Sequence, residues 1–198
     1  MKDITNNEMM FVLAILKSPE LQYNSNSMAQ VLGISRMGAL KIARRLEKEQ
    51  VINSKELGKA IFYKLNLERE YVREYVKFLL KREAEQTHPY EKVWIDDIRK
   101  IKSADAAVLF GSVLRKHKEA ADIDVMLIID KKKYKKVQNE IHEIDELNTK
   151  KIHPMYQTRE DLARNLKKGD KPLLSAMKGI VAFGEGIIIK AIIDYLPK

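Results

Sequence analysis

Cysteine is absent from this chain of 198 residues, so it can form neither a disulfide nor a thiolate metal site. That absence fits a reducing compartment, and a cytoplasmic location is expected. Long apolar runs are missing as well. None approaches the ~20 residues needed to cross a bilayer, and the apolar segment that begins at Met9 is broken by Lys17. Neither a membrane span nor an export signal is expected. Internal repeats and low-complexity stretches are also lacking. What remains, 45% apolar and 33% charged residues, describes a globular protein long enough for two small domains.

Acidic residues are outnumbered, 28 against 37 basic ones, for a formal net charge of +9. Such a balance favours polyanionic partners, nucleic acid or triphosphate. The excess is spread along the chain: residues 1–86 hold 15 basic and 11 acidic side chains, and the remainder holds 22 and 17. Charge alone therefore assigns the partner to neither half.

The stretch FGSVLRKHKEAADIDV, Phe110 to Val125, carries the most chemistry. An apolar run, Ala106 to Phe110, ends in Gly111-Ser112, and Asp122-Ile123-Asp124 opens a second apolar run. Both runs read as buried strands. Alternation along a strand puts Asp122 and Asp124 on one face, where two carboxylates repel each other unless a divalent cation holds them. Gly111 allows backbone to approach a phosphate closely, and Ser112 adds a hydroxyl. The plainer alternative is a turn-linked strand pair with two carboxylates facing water.

Apolar residue, Gly-Ser, a gap and then Asp-x-Asp resembles the DNA polymerase β-type nucleotidyltransferase superfamily, over Pro89 to Gly184. The resemblance implies that Gly111, Ser112 and Arg115 contact a nucleoside triphosphate, most simply ATP. It also implies that Asp122 and Asp124 are the catalytic acids and hold Mg²⁺ or Mn²⁺. Members of that superfamily use a third carboxylate on the next strand. The matching segment here, KKIHPMYQT, has none, and His153 occupies the place, followed by Pro154, which marks an edge strand. A histidine there could be a base, a ligand to a softer metal, or a rim residue. Asp130, Glu143, Asp145 and Glu146 have no evident claim to the missing position, and Asp130, placed on the same strand as Asp124, would lie ~20 Å beyond it.

Upstream, Met9, Met10, Val12, Leu13, Ile15 and Leu16 form a helix-period stripe. A second short helix closes at Gly33, and a third runs from about Arg36 to Gln50, with Ser35 a candidate cap. Ile34, Leu40, Ala43 and Leu46 can face inward, leaving Arg36, Lys41, Arg44, Arg45 and Lys48 outward. A hairpin with Gly58-Lys59 at its tip follows. Helix-turn-helix plus basic hairpin resembles winged-helix regulators, over roughly residues 5–67. That resemblance assigns DNA contact to Arg36, Lys41, Arg44 and Arg45 on the helix and to Lys55 and Lys59 on the wing. A solvated basic face, RNA binding or a protein-docking role are the alternatives.

Residues 67–86 read as an amphipathic linker helix, ended by Thr87-His88-Pro89. Its stripe of Tyr71, Val72, Tyr75, Val76, Leu79 and Leu80 either packs on its own chain or pairs with a second copy. The expected fold class is α+β. A winged helix-turn-helix (1–68) and a linker or dimerisation helix (69–88) precede a nucleotidyltransferase-like α/β domain with a small mixed sheet (89–198). The expected function is a DNA-binding regulator, acting as a homodimer, whose second domain binds NTP and Mg²⁺. The alternative is an active AMP-transferring enzyme, antitoxin-like, with a toxin-like protein as acceptor. A purely architectural second domain is the remaining option.

Overall fold

A computed structural model of the chain describes residues 4–196. It divides into two compact units, Met1–Leu79 and Leu80–Lys198.

In the first unit, α1 (Asn6–Lys17) begins at a capping box in which Thr5 and Glu8 each bond the other's backbone N–H. The two-residue β1 (Tyr23–Asn24) leads into α2 (Ser25–Leu32), which closes on Gly33 in the left-handed region. Next, α3 (Arg36–Lys48) starts where the Ser35 hydroxyl accepts the Gly38 N–H at 3.0 Å. Strands β2 (Ile52–Leu57) and β3 (Ala60–Leu65) pair antiparallel around the turn Gly58-Lys59, and β1 joins on the other side of β3. Helix α1 packs on α2, α3 and β3. Three helices, a small antiparallel sheet and a projecting hairpin make this unit a winged helix.

Of the residues expected to face inward here, Ala43 and Leu46 are buried, together with Ala39, whereas Ile34 and Leu40 are only partly buried. One cation departs from the sequence expectation. Arg45 does not face outward with its neighbours; its guanidinium lies 2.5 Å from the Glu8 carboxylate and 3.2 Å from Glu49. Glu8 is buried, with 6% of its side chain exposed. A buried carboxylate needs a compensating cation, and Arg45 supplies it across 37 residues.

Helix α4 (Glu70–Gln86) is continuous, and the division between the units falls within it, between Leu79 and Leu80. Val72, Val76, Leu79, Leu80 and Ala84 are all buried. These five side chains of the stripe are therefore covered within the chain. Tyr71 and Phe78 stay exposed. Desolvation pushes the half-buried Tyr75 hydroxyl up to about 12.

In the second unit, α5 (Pro89–Ile98) has Pro89 in its first turn and His88 as cap. After it come β4 (Ala106–Phe110), the short α6 (Val113–Lys116), β5 (Ile123–Ile128), α7 (Tyr134–Leu147) and β6 (Ile152–Gln157). Helices α8 (Arg159–Lys168) and α9 (Lys171–Met177), strand β7 (Ile180–Phe183) and α10 (Glu185–Tyr195) complete it. Asp170 caps the seven-residue α9 by accepting the Leu173 N–H. Sheet order is β6-β5-β4-β7, mixed: β5 is antiparallel to β4 and parallel to β6, and β4 is antiparallel to β7. The parallel step needs a crossover, which α7 provides, turning Val137, Ile141 and Ile144 to the core. Strand β6, with Pro154, is at the sheet edge.

Replacing Arg45 with Ala should lower stability by about 1–3 kcal/mol, since it strips a partner from a buried acceptor. A denaturant titration reads this as a lower midpoint at unchanged slope. Arg44→Ala should leave the midpoint in place, and equal shifts in the two variants would contradict the Glu8–Arg45 assignment.

Candidate metal and phosphate site

The antiparallel register sets Phe110 opposite Asp124, so the chain leaves β4 through Gly111 directly beside that carboxylate. Gly111 has φ +83°, a conformation L side chains rarely adopt. Space decides the matter as firmly as the backbone angle does. A Cβ built on Gly111 would sit 2.0 Å from Asp124 Oδ2 and 2.8 Å from its Cγ. Only glycine lets the turn and the acid come this close.

Asp122 precedes β5 and Asp124 is its second residue; they point the same way, as their spacing predicts. The parallel register then puts His153 of β6 opposite Asp124, and His153 Nδ1 lies 3.2 Å from Asp124 Oδ1. Ligand atoms of Asp122, Asp124 and His153 all fall within 4.8 Å of one another. Asp122 and His153 are exposed and Asp124 is partly buried, so the group lies open to solvent at the strand ends.

Ser112 directly follows Gly111, and its hydroxyl does not cap α6, which leaves it out of the local backbone bonding. Arg115 is exposed on α6. Of the sequence-expected residues in this unit, Gly111, Ser112, Asp122 and Asp124 therefore cluster on one strand–turn–strand, with Arg115 on the helix that follows.

The structure also accounts for the other acids weighed for a third carboxylate. Asp130 is not on β5, which ends at Ile128; its side chain caps a 3₁₀ turn, Lys131–Lys133, by accepting the Lys132 N–H at 2.9 Å. Asp145 accepts the Ile152 N–H at 2.8 Å, fixing the start of β6. Glu146 lies 3.3 Å from His142, and Glu143 is exposed on α7. His153 holds the position next to Asp124.

In the winged helix, Arg36, Lys41, Arg44 and Lys48 are exposed on α3, and Lys55 and Lys59 are exposed on the hairpin. Arg45 belongs instead to the interior ion pair described above. Met37, 58% exposed, adds an apolar side chain to the outer face of α3, one the charge pattern alone does not flag.

No protein-family model matches the chain, and no curated protein is similar to it. Among solved structures, the adhesin competence repressor (AdcR) of Streptococcus pyogenes is 13% identical, over 49% of this chain and 78% of that one, at a TM-score of 0.33. RV1404 from Mycobacterium tuberculosis is 21% identical over 46% and 65% of the two chains, at 0.32. The transcriptional regulator Tm0710 from Thermotoga maritima is 18% identical over 50% and 74%, at 0.32. These likenesses extend to about half the chain and are too loose to bear on what it does. No helix among the described residues is long and apolar enough to cross a membrane.

Gly111→Ala should destabilise the protein well beyond backbone strain alone. Gly169 provides the reference: it has φ +66°, and a Cβ there would meet nothing within 4 Å. Gly169→Ala should cost about 1 kcal/mol of strain, and Gly111→Ala at least about twice that. Equal costs, read from denaturant midpoints, would mean the close approach to Asp124 is absent.

Proposed function

We propose that the chain is a DNA-binding regulator. Its first unit contacts double-stranded DNA, and its second binds a nucleoside triphosphate, ATP the simplest case, together with a divalent cation. The observation that carries the second half is the contact between Gly111 and Asp124, with Asp122 and His153 beside it. Two carboxylates suit a hard divalent ion, Mg²⁺ or Mn²⁺, and the adjoining imidazole suits Mn²⁺ better than Mg²⁺. When bound, such an ion neutralises charge on triphosphate oxygens.

The chain's own residues do the rest. Asp122 and Asp124 hold the cation, the bare backbone of Gly111 leaves room for a phosphate, and the Ser112 hydroxyl donates to a phosphate oxygen. Arg115, one helical turn on, adds a positive charge that can fork onto phosphate. These roles, and the likeness to β-type nucleotidyltransferases, rest on strand–Gly-Ser–strand–Asp-x-Asp with the mixed sheet around it. Binding without transfer is favoured because the residue facing Asp124 on β6 is an imidazole and not a carboxylate. One observation favours the second reading, an active AMP-transferring enzyme acting on a protein or nucleic-acid hydroxyl. His153 Nδ1, 3.2 Å from Asp124, is a nitrogen able to take a proton beside the carboxylates.

For the DNA half, α3 presents Arg36, Lys41 and Arg44 on its exposed face, and the wing presents Lys55 and Lys59. A helix entering the major groove with a hairpin on the backbone uses cations so placed.

Two measurements test the proposal. Calorimetry with ATP and Mg²⁺ or Mn²⁺ should show binding that falls at least tenfold, or about 1.4 kcal/mol, in Asp122→Asn plus Asp124→Asn. ATP binding unchanged in that variant would overturn the assignment, and transfer of label from ATP to an acceptor would replace binding by catalysis. Reversing Lys41 and Arg44 to Glu should weaken duplex binding and reduce the slope of log K against log salt by about 2, one per lost phosphate contact. An unchanged slope would remove α3 from the interface.

A further inference from the structure

A second group of metal-binding side chains meets elsewhere in the same unit. His88 precedes α5, Glu91 lies in that helix's first turn, and His117 follows α6 with φ +49°, unusual for a residue other than glycine. Glu91 is 1% exposed, so its carboxylate is held out of water. Its Oε1 is 2.6 Å from His117 Nδ1, and its Oε2 is 3.1 Å from His88 Nδ1. The two imidazoles stack, with centroids 4.2 Å apart and planes inclined by 26°. Ligand atoms of the three residues all lie within 4.8 Å of one another.

The contact between His88 and Oε2 is short without being a hydrogen bond. His88 Nδ1 already accepts the Tyr90 N–H at 3.3 Å, so it brings a lone pair and no proton towards Oε2. That oxygen is fully buried and has no hydrogen-bond donor among the described residues. An unmet buried carboxylate oxygen facing a nitrogen lone pair is unfavourable, and a cation between them removes the conflict. A metal ion is bound by imidazole nitrogens, and the Nδ1 atoms of both rings turn towards this one carboxylate.

We infer that His88, Glu91 and His117 form a binding site for a divalent transition metal of the zinc class. Two imidazole nitrogens and one carboxylate are a donor set that Zn²⁺ accepts and that Mg²⁺ disfavours. The histidine side chains are 54% and 43% exposed, so an ion can enter from solvent and keep a water as its fourth ligand. On binding, His117 Nδ1 exchanges its contact to Oε1 for the metal. The ion clips the start of α5 to the turn after α6, the segment that continues from Gly111-Ser112 and carries Arg115. This site shares no residue with the nucleotide site and stands without it.

The test uses tag-free full-length protein, freed of metal by chelation. It carries Asp122→Asn, Asp124→Asn and His153→Ala, so that the other ligand group is silent. Titration with Zn²⁺ should show one equivalent bound, and Co²⁺ should give the strong visible absorption of a four-coordinate ion. Adding His117→Ala or His88→Ala should each weaken binding at least about tenfold. Glu91→Gln, which keeps the shape of the buried side chain, should do the same. Both histidines are partly exposed, so their variants should fold even if Glu91→Gln does not, and far-UV circular dichroism checks each one. Absence of Zn²⁺ binding at micromolar concentration, or affinity unchanged by His117→Ala, would overturn the assignment.

Discussion

The candidate site in the second unit depends on one place without a side chain. At Gly111 the backbone turns through a positive φ with Asp124 so near that a single methyl group would overlap its carboxylate. This one constraint ties the end of β4 to the start of β5. It aims Asp124 at the turn and leaves Asp122, two residues away, on the same side. The extended parallel pairing of β5 with β6 then delivers His153 to the group without any local motif to place it. Ligand geometry at this end of the sheet therefore follows from register, and register follows from the buried apolar runs on either side.

In the winged helix the corresponding constraint is electrostatic. Glu8 serves twice, once in the capping box of α1 and once as the buried partner of Arg45. The same helix that buries Ala39, Ala43 and Leu46 therefore divides its cations. One is fixed inward to hold α3 on α1, and Arg36, Lys41, Arg44 and Lys48 remain on the solvent side. A basic helix is not uniformly available to a polyanion, because an interior acid claims part of its charge.

How much of this was legible in the sequence depends on the range of the interaction. Caps and periods are local, so Ser35, Gly33 and the strands flanking Gly111-Ser112 could be read directly, and Asp-x-Asp announced two acids on one face. Arg45 looked like its neighbours because its partner is 37 residues away. Asp130 looked like a continuation of β5 because spacing alone does not reveal the turn it caps. His88, Glu91 and His117 gave no signal at all. Glu91 and His117 are 26 residues apart, with a strand between them, and His117, although inside the Phe110–Val125 stretch, has no place in its Gly-Ser and Asp-x-Asp pattern. Pro89 was read as the end of the helix before it, and it also stands in the first turn of α5, which brings Glu91 next to His88.

The most direct measurement of the account is a crystal structure with a non-hydrolysable ATP analogue and Mn²⁺, located by its anomalous scattering. The ion should bind oxygens of Asp122 and Asp124 with the triphosphate lying over Gly111 and Ser112. A manganese peak elsewhere, or a triphosphate bound away from that turn, would contradict it.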